Sequence, residues 1–184
     1  MNNVHPILVT GPQRSGTTIT ARILADKFNR TYVDEIDYHP DNFKTDSIIQ
    51  APFAFKYITE LSYANPELFF VIVVRDKEDI VKSMERIEWY KDIINSPGFY
   101  SSYVDSAYST IEAQLQHLST DRYLKLSYNS LKGHTLFVDD RKDFTSKQWQ
   151  KNKAEGPKKW RNDEHLRFNA LGLQDFSPST MAAA

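Results

Sequence analysis

The sequence predicts an α/β fold, a three-layer sandwich in which helices cover a mainly parallel central sheet. Short apolar runs alternate along the chain with longer segments that have helical periodicity. The strongest run, residues 69–74, is a continuous series of Phe, Val and Ile, which is typical of a central parallel strand covered on both faces. The 184 residues suit one domain, which we place at residues 1–176, followed by a flexible tail at 177–184.

Period and turn residues define the elements of the first half. A strand at residues 7–10 leads into a helix at 16–28, and a short strand follows at 31–34. A second helix is expected at 53–63 and must end before Pro66, because proline disfavours helix in the residue that precedes it. The chain therefore opens with a β-α-β unit.

The second half continues the alternation. After the strongest strand, Asp76 can cap a helix. The apolar stripe of this helix consists of Ile80, Val81, Met84 and Ile87. A Ser-Pro-Gly break at 96–98 precedes a long amphipathic helix over residues 104–118, and two short late strands are expected at 123–126 and 135–138.

Composition argues against several classes of function. The formal net charge is -1, so there is no electrostatic footprint for nucleic acid or for an acidic membrane. The chain has no cysteine, which excludes disulfides and thiolate metal sites and suits a reducing compartment. The longest apolar stretch, residues 68–74, is far shorter than the roughly 18 residues of a membrane span, and the loop at Gly11 leaves no room for a secretory signal. We therefore expect a cytoplasmic protein with neither a nucleic-acid nor a membrane partner.

The loop at residues 11–18, Gly-Pro-Gln-Arg-Ser-Gly-Thr-Thr, joins the first strand to the first helix. Backbone N–H groups at the N-terminus of a helix point outward without partners, and the helix dipole favours a negative charge there. The spacing matches the P-loop template of nucleotide-binding proteins, but Thr17 stands where the triphosphate version has lysine. A positive charge is present at Arg14 instead. The loop therefore predicts a P-loop-type cradle for a phosphate or sulfate group.

A second candidate anion site follows the strongest strand. Arg75 comes at its end, and Ser83 lies two helical turns beyond. An arginine fork and a hydroxyl make a good pair for a phosphate, because the guanidinium gives bidentate charge-assisted bonds and the serine adds a donor. Since the carboxyl ends of parallel strands share one edge of a sheet, we expect Arg75, the loop at 11–18 and the acidic pair Asp34 and Glu35 to gather there.

Together the two anion segments resemble the sulfotransferases that use 3′-phosphoadenosine 5′-phosphosulfate (PAPS). Residues 12–18 are similar to that family's P-[KR]-S-G-T-T motif, which binds the 5′-phosphosulfate, with one extra residue after the proline. Residues 74–83 are similar to its second motif, in which the positions of Arg75 and Ser83 hold the 3′-phosphate of the donor. The order and separation of the motifs also fit the family.

Looser similarities and one departure accompany these motifs. Gln50-Ala51-Pro52 resembles the family's short lysine-x-proline strand end, and residues 128–131 resemble its tyrosine-glutamate-x-leucine segment. The glycine-rich C-terminal segment that closes over the nucleotide in many members has no clear copy. Residues 156–161 could replace it with basic and aromatic side chains, or could form a solvated basic turn with Trp160 packed on the body.

The resemblance implies transfer of a sulfuryl group from PAPS to a hydroxyl or amine of a small-molecule or carbohydrate acceptor, with 3′-phosphoadenosine 5′-phosphate (PAP) as product and no metal. The N–H groups of Gly16, Thr17 and Thr18 would bind the 5′-phosphate, in the same donor-binding loop as Ser15. Arg14 would bind the donor and stabilise charge that develops on the sulfuryl and bridging oxygens.

A general base is expected among the acidic residues after the second strand. Glu35 is the first choice, because it follows that strand on the ligand edge and many bacterial-type sulfotransferases place a catalytic glutamate about there. Asp34, Asp37 and His39 are alternatives, and an acidic turn that caps local structure would explain the same residues without catalysis.

An aromatic cluster after the second motif could form a wall for the acceptor ring. Its members are Trp89, Tyr90, Phe99, Tyr100 and Tyr103. Aromatic stripes of this kind are more often part of the core, so both interpretations stay open.

Two other functions compete with sulfuryl transfer. In a P-loop small-molecule kinase that uses ATP or GTP, Thr18 would coordinate magnesium, and residues 136–140 imitate the strand that ends in a metal-supporting aspartate. This hypothesis lacks the lysine that Thr17 replaces and leaves the spacing of Arg75 and Ser83 unexplained. The other alternative is a non-catalytic module that keeps the nucleotide cradle and has no base.

Overall fold

A computed structural model of the protein describes residues 5–35, 43, 46–87 and 96–137. Its centre is a five-stranded sheet in which each strand pair is parallel. The strands are β1 (Ile7–Thr10), β2 (Thr31–Val33), β3 (Ser47–Gln50), β4 (Phe69–Val74) and β5 (Tyr123–Ser127), in the spatial order β2-β3-β1-β4-β5. The predicted α/β fold with a mainly parallel sheet is confirmed.

Helices connect the strands and cover the sheet. They are α1 (Thr17–Phe28), α2 (Ile58–Ala64), α3 (Lys77–Arg86) and α4 (Phe99–Leu115). A 3-10 helix at Pro52–Tyr57 leads into α2, and two further 3-10 turns lie at Thr120–Arg122 and Tyr128–Leu131. Within the described ranges, no helix is long and apolar enough to cross a membrane.

Alternating side chains of the strands supply the core on both faces of the sheet. On one face Leu8 and Phe70 pack with Ile111 of α4 and Leu61 of α2. On the other face the strand residues join the buried side chains of α1. That second cluster contains Val9, Ile48, Val71, Val73, Ala21, Ile23 and Ala25. Because β4 is covered on both sides, its sequence is a continuous apolar run, whereas β3 begins with Ser47 and ends with Gln50.

The start of α3 follows the sequence prediction. Asp76 is its N-cap residue, and the Asp76 carboxylate accepts the N–H groups of Glu78 at 2.9 Å and Asp79 at 3.3 Å. A carboxylate at this position satisfies donors that have no partner inside the helix and complements the helix dipole. The cap fixes the direction in which the chain leaves β4, and so the position of Arg75 between the strand and the helix.

The structure corrects three of the predicted elements and adds a strand. The helix expected at 104–118 is α4, Phe99–Leu115. Residues 135–137 are not a strand: the Phe137 N–H donates to the His134 carbonyl at 2.9 Å in a turn, and the Phe137 ring packs on Tyr128 at a centroid distance of 5.3 Å. The helix predicted at 53–63 begins as a 3-10 helix up to Tyr57. Strand β3 was not predicted, since its four residues are too short to show a period.

Strand β3 changes the arrangement of the ligand edge. It pairs with β1 on one side and β2 on the other, so it separates the acidic end of β2 from the loop at 11–18. On the other side of β1, strand β4 is a direct neighbour. The loop after β1 and the segment after β4 are therefore adjacent, whereas Asp34 and Glu35 lie two strands away from β1.

Candidate anion-binding site

The loop between β1 and α1 presents unpaired N–H groups. Helix α1 begins at Thr17, and the first N–H groups of a helix have no intrahelical partner. Among the hydrogen bonds of the described residues, none uses the N–H of Gly16, Thr17 or Thr18. These three groups and the positive end of the helix dipole form a cradle for one anion.

Two glycines of the loop are required by close contacts. At Gly11, a Cβ would lie 2.8 Å from the carbonyl oxygen of Val73 in β4. At Gly16, where φ is +101°, a Cβ would lie 2.4 Å from Cδ2 of Tyr128. The loop is therefore held closely between strand β4 and the Tyr128 ring, and only glycine fits at either position.

The Ser15 hydroxyl is a buried polar group inside the loop. Ser15 is fully buried, and its Oγ has no hydrogen-bond partner in the part of the chain that the structure describes. Its position is beside Gly11, because a Cβ on Gly11 would come within 3.0 Å of Ser15 Oγ. An unsatisfied buried hydroxyl costs free energy, and a ligand oxygen in the cradle would supply the missing bond.

The two sequence motifs contact each other directly. Arg14 Nε donates to Ser83 Oγ at 3.1 Å, across 69 residues of sequence. Arg75 Nη1 donates to the carbonyl oxygen of Arg14 at 3.0 Å. Arg75 is 6% exposed and Ser83 is fully buried, so these contacts lie inside the protein rather than at a solvated surface. The structure therefore brings together the residues that the sequence assigned to two anion sites.

The Arg75 side chain lies against an aromatic face. Its guanidinium carbon is 4.3 Å from the centroid of the Tyr128 ring, which is a cation–π contact. Tyr128 is itself buried, and the same ring blocks the space next to Gly16. One aromatic side chain thus contacts both the cradle and the arginine of the second motif.

Helix α4 also reaches both motifs, through two phenol hydroxyls. The Tyr103 hydroxyl accepts the N–H of Gln13 at 3.2 Å. The Tyr108 hydroxyl accepts the N–H of Arg75 at 3.0 Å and donates to the Arg75 carbonyl at 2.8 Å. Burial raises the pKa of Tyr108 above its ordinary value, so the phenol that donates this bond stays protonated at neutral pH.

The position of the missing P-loop lysine is occupied by a buried neutral pair. Thr17 is buried, and its Oγ1 accepts a hydrogen bond at 3.3 Å from the side-chain amide of Gln50, at the end of β3. Thr18 is exposed. The cradle therefore has no cation at position 17, whereas Arg14 belongs to the loop itself and Arg75 bonds to the backbone of the loop.

The predicted base candidates are only partly described. Glu35 is 9% exposed and follows β2, and Asp34 Oδ2 accepts a hydrogen bond from the Tyr32 hydroxyl at 2.6 Å. Burial and the bond to Asp34 raise the pKa of Tyr32 far above its ordinary value. Asp37 and His39 lie outside the described residues.

The predicted aromatic wall is divided by the structure. Tyr100 and Tyr103 are partly buried against Ile80, Met84 and Val104, between α3 and α4. Phe99 is 37% exposed and meets Tyr100 edge to face. Trp89 and Tyr90 lie outside the described residues, as do residues 138–140, 156–161 and the tail at 177–184.

The sequence does not indicate the hydrogen bonds of Tyr103 and Tyr108. It predicts Tyr103 in the acceptor wall and Tyr108 only as one residue of the amphipathic helix at 104–118. A phenol in such a stripe carries a hydroxyl that needs a partner when it is buried, and this is the signal that could have indicated a polar contact. Among the residues that the structure describes, no group of three or more acidic or histidine side chains could hold a metal ion.

Comparisons with known proteins give little beyond this geometry. No family model and no curated protein matches the chain. Among solved structures, an unliganded sugar kinase from Janibacter sp. HTCC2649 is similar at a TM-score of 0.37 and 17% identity, over 75% of this chain and 88% of that one. An uncharacterized protein from Eubacterium ventriosum is similar at a TM-score of 0.31 and 12% identity, over 67% and 88%. Likenesses of this size do not distinguish between activities.

Proposed function

We propose that the protein is a sulfotransferase that moves a sulfuryl group from PAPS to a hydroxyl or amine of a small-molecule or carbohydrate acceptor. The observation that carries the proposal is the direct contact of the two motifs, Arg14 with Ser83 at 3.1 Å and Arg75 with the Arg14 carbonyl at 3.0 Å. PAPS carries two anionic groups on one nucleoside. A protein that places two anion-binding segments side by side fits a donor of this kind.

The 5′-phosphosulfate would bind at the cradle. The free N–H groups of Gly16, Thr17 and Thr18 suit the oxygens of the 5′-phosphate, and the buried Ser15 hydroxyl would donate to the same group. Tight contacts at Gly11 and Gly16 favour a loop that is already in its binding conformation before the ligand arrives. Preorganised donors of this kind stabilise developing charge without a reorganisation cost.

The 3′-phosphate would bind between Arg75 and Ser83. Ser83 is fully buried and its Oγ accepts the Arg14 Nε–H, so the hydroxyl lies directly beside the arginine of the first motif. The Arg75 side chain contacts the Tyr128 ring and the Arg14 carbonyl, so it is already restrained before a ligand binds. Binding therefore costs less side-chain conformational entropy.

The transfer step would use Arg14 and an acidic base. The acceptor oxygen or nitrogen attacks sulfur, the bond from sulfur to the 5′-phosphate oxygen breaks, and PAP leaves with the electron pair of that bond. Arg14 would balance the charge that grows on the bridging oxygen. The acceptor proton would pass to a carboxylate, for which Glu35 at the end of β2 is the first candidate.

A calorimetric titration tests the proposal. The purified protein is titrated with adenosine 3′,5′-bisphosphate, and separately with ADP and with ATP plus magnesium. We expect binding of the bisphosphate that does not require metal and that is weakened by Arg75→Ala. A preference for ATP with magnesium would contradict the proposal and support a kinase instead.

A P-loop kinase is the second candidate, on one specific observation. Thr18 is exposed in the first turn of α1, where the magnesium-binding hydroxyl of a P-loop kinase stands. Against it, Thr17 is buried and bonded to the neutral amide of Gln50, so the lysine expected in a triphosphate site has no substitute at that position. If the protein binds the bisphosphate but transfers no sulfuryl group from PAPS to any of a broad panel of acceptors, the non-catalytic module is supported instead.

A further inference from the structure

Helix α4 connects the two anion-binding segments through Tyr103 and Tyr108. We propose that these two tyrosines are positioning residues: their hydroxyls set the separation of the cradle and Arg75, and so select a ligand with two anionic groups. The identity of that ligand rests on the proposed function, whereas the contacts of the two hydroxyls do not depend on it.

Tyr108 binds the backbone of Arg75, a residue that belongs neither to β4 nor to α3. The pairing of β4 with β5 ends at Val74, and Asp76 is the N-cap of α3, so Arg75 is the residue that links the two elements. The Tyr108 hydroxyl accepts the Arg75 N–H and donates to the Arg75 carbonyl. A residue that is bonded at both main-chain groups cannot rotate without losing a hydrogen bond, and its side chain therefore starts from a fixed point.

Tyr103 acts on the cradle in the same way. It accepts the N–H of Gln13, immediately before Arg14, which has a left-handed φ of 67°. The carbonyl of Arg14 accepts Arg75 Nη1. The turn that contains Arg14 is therefore held by α4 at its start and by Arg75 at its end, which offsets the cost of a left-handed conformation in a residue with a side chain.

The helix that carries both hydroxyls is anchored in the core. Val104 packs with Ile80 and Met84 of α3, and Ala107 and Ile111 pack under the sheet. Tyr103 and Tyr108 are five residues apart, which corresponds to a rise of about 7.5 Å along the helix. A buried helix thus adds a rigid connection between two segments that also contact each other directly through Arg14, Arg75 and Ser83.

Phenylalanine variants test this role, because they keep the ring and remove only the hydroxyl. Tyr108→Phe removes both hydrogen bonds to the Arg75 backbone and should weaken binding of adenosine 3′,5′-bisphosphate about tenfold. It should leave adenosine 5′-monophosphate unchanged, since that nucleotide places no phosphate at Arg75. Tyr103→Phe should weaken both nucleotides, because both place a phosphate in the cradle. Tyr123→Phe is the matched control: Tyr123 is partly buried, and its hydroxyl has no hydrogen bond among the described residues.

A second measurement on the ligand-free protein separates this proposal from the proposed function. Amide hydrogen exchange at Arg75 should accelerate in Tyr108→Phe, and exchange at Gln13 should accelerate in Tyr103→Phe, with neither changed in Tyr123→Phe. If exchange accelerates but the wild type does not bind the bisphosphate, the positioning role stands and the nucleotide assignment fails. If the bisphosphate binds but Tyr108→Phe leaves exchange unchanged, or affects both nucleotides equally, the positioning role is wrong.

Discussion

The two halves of the carboxyl edge of the sheet are built differently. At the ends of β1 and β4, Arg14, Arg75 and Ser83 are joined by direct hydrogen bonds. At the end of β2, Glu35 follows a three-residue edge strand that β3 separates from β1. With neighbouring strands about 4.8 Å apart, β2 lies roughly 10 Å from β1. The first half is the candidate anion site, and the second half presents acidic side chains two strands away from it.

Under the proposed function, different parts of this edge would recognise the donor and the acceptor. The donor half depends on strand order, because two loops can share an anion only when their strands are neighbours. The acceptor half depends on the segments that surround the end of β2, and Asp37 and His39 belong to residues outside the described ranges. The residues proposed for the donor can therefore be named with their contacts, whereas the proposed function gives only the class of the acceptor group, a hydroxyl or an amine.

The strongest loss of activity is expected from a substitution at the end of β2. Glu35→Gln removes the proposed base and keeps its shape, so turnover should fall about 10²–10⁴-fold, with the affinity for adenosine 3′,5′-bisphosphate unchanged. The measurement is transfer from radiolabelled PAPS to an acceptor found in a screen of phenols, sugars and amines. Asp34→Asn is the matched control. Full activity in Glu35→Gln together with loss in Asp34→Asn would move the base to Asp34.

The second prediction concerns nucleotide binding at Arg75, at the end of β4. Arg75→Ala should weaken binding of the bisphosphate about 100-fold, because it removes a buried charge from the proposed 3′-phosphate site. The preference for the bisphosphate over adenosine 5′-monophosphate should disappear with it, as calorimetry can show. Lys82→Ala removes an exposed charge from the same motif, beside Ser83, and should have little effect. Equal losses of affinity in the two variants would indicate a general effect of positive charge rather than a specific 3′-phosphate site.

A third prediction concerns the contact between the cradle and Tyr128. Gly16→Ala places a methyl group 2.4 Å from the buried Tyr128 ring, whereas Gly133→Ala, at a similar positive φ, meets open space. Overpacking should make Gly16→Ala less stable than Gly133→Ala by about 1–3 kcal/mol. Urea unfolding measures the difference. Equal stability of the two variants would mean that Tyr128 does not pack on the loop.

The smallest effect is a change in pH dependence. Burial raises the pKa of Tyr108 above 10.0, with Arg75 opposing and Asp76 adding to the shift. The folded state holds the phenol proton more tightly than the unfolded state, so this stabilisation is present below about pH 10 and is lost as the pH rises through the folded pKa. The free energy of unfolding should fall less steeply at alkaline pH in Tyr108→Phe than in the wild type. Parallel curves would contradict the buried, protonated phenol.

Much of the fold could be predicted from the sequence because its signals are local. The continuous run in β4 and the cap at Asp76 each depend on neighbouring residues, and both are confirmed. Strand β3 was not predicted, because its four buried residues follow a polar segment and are recognised as a strand only by their pairing with β1 and β2. The apolar residues at 135–137 resemble a strand in the sequence. In the structure they form a turn, and the Phe137 ring packs against Tyr128 rather than within the sheet.

The candidate site shows the same division. The motif positions of Arg14, Arg75 and Ser83 could be read from spacing, and the structure places them in contact. The contacts of Tyr103 and Tyr108 with these segments could not be predicted, because both tyrosines are distant in sequence and belong to no motif. Tertiary hydrogen bonds between elements leave no periodic signal, so they become visible only once the order of strands is known.

A crystal structure of the complex with adenosine 3′,5′-bisphosphate would show whether the two motifs form one site. We expect the 5′-phosphate on the N–H groups of Gly16, Thr17 and Thr18, and the 3′-phosphate within hydrogen-bond distance of Arg75 and Ser83. A nucleotide whose 3′-phosphate points into solvent, or which binds away from the loop, would contradict the pairing of the two motifs as one site.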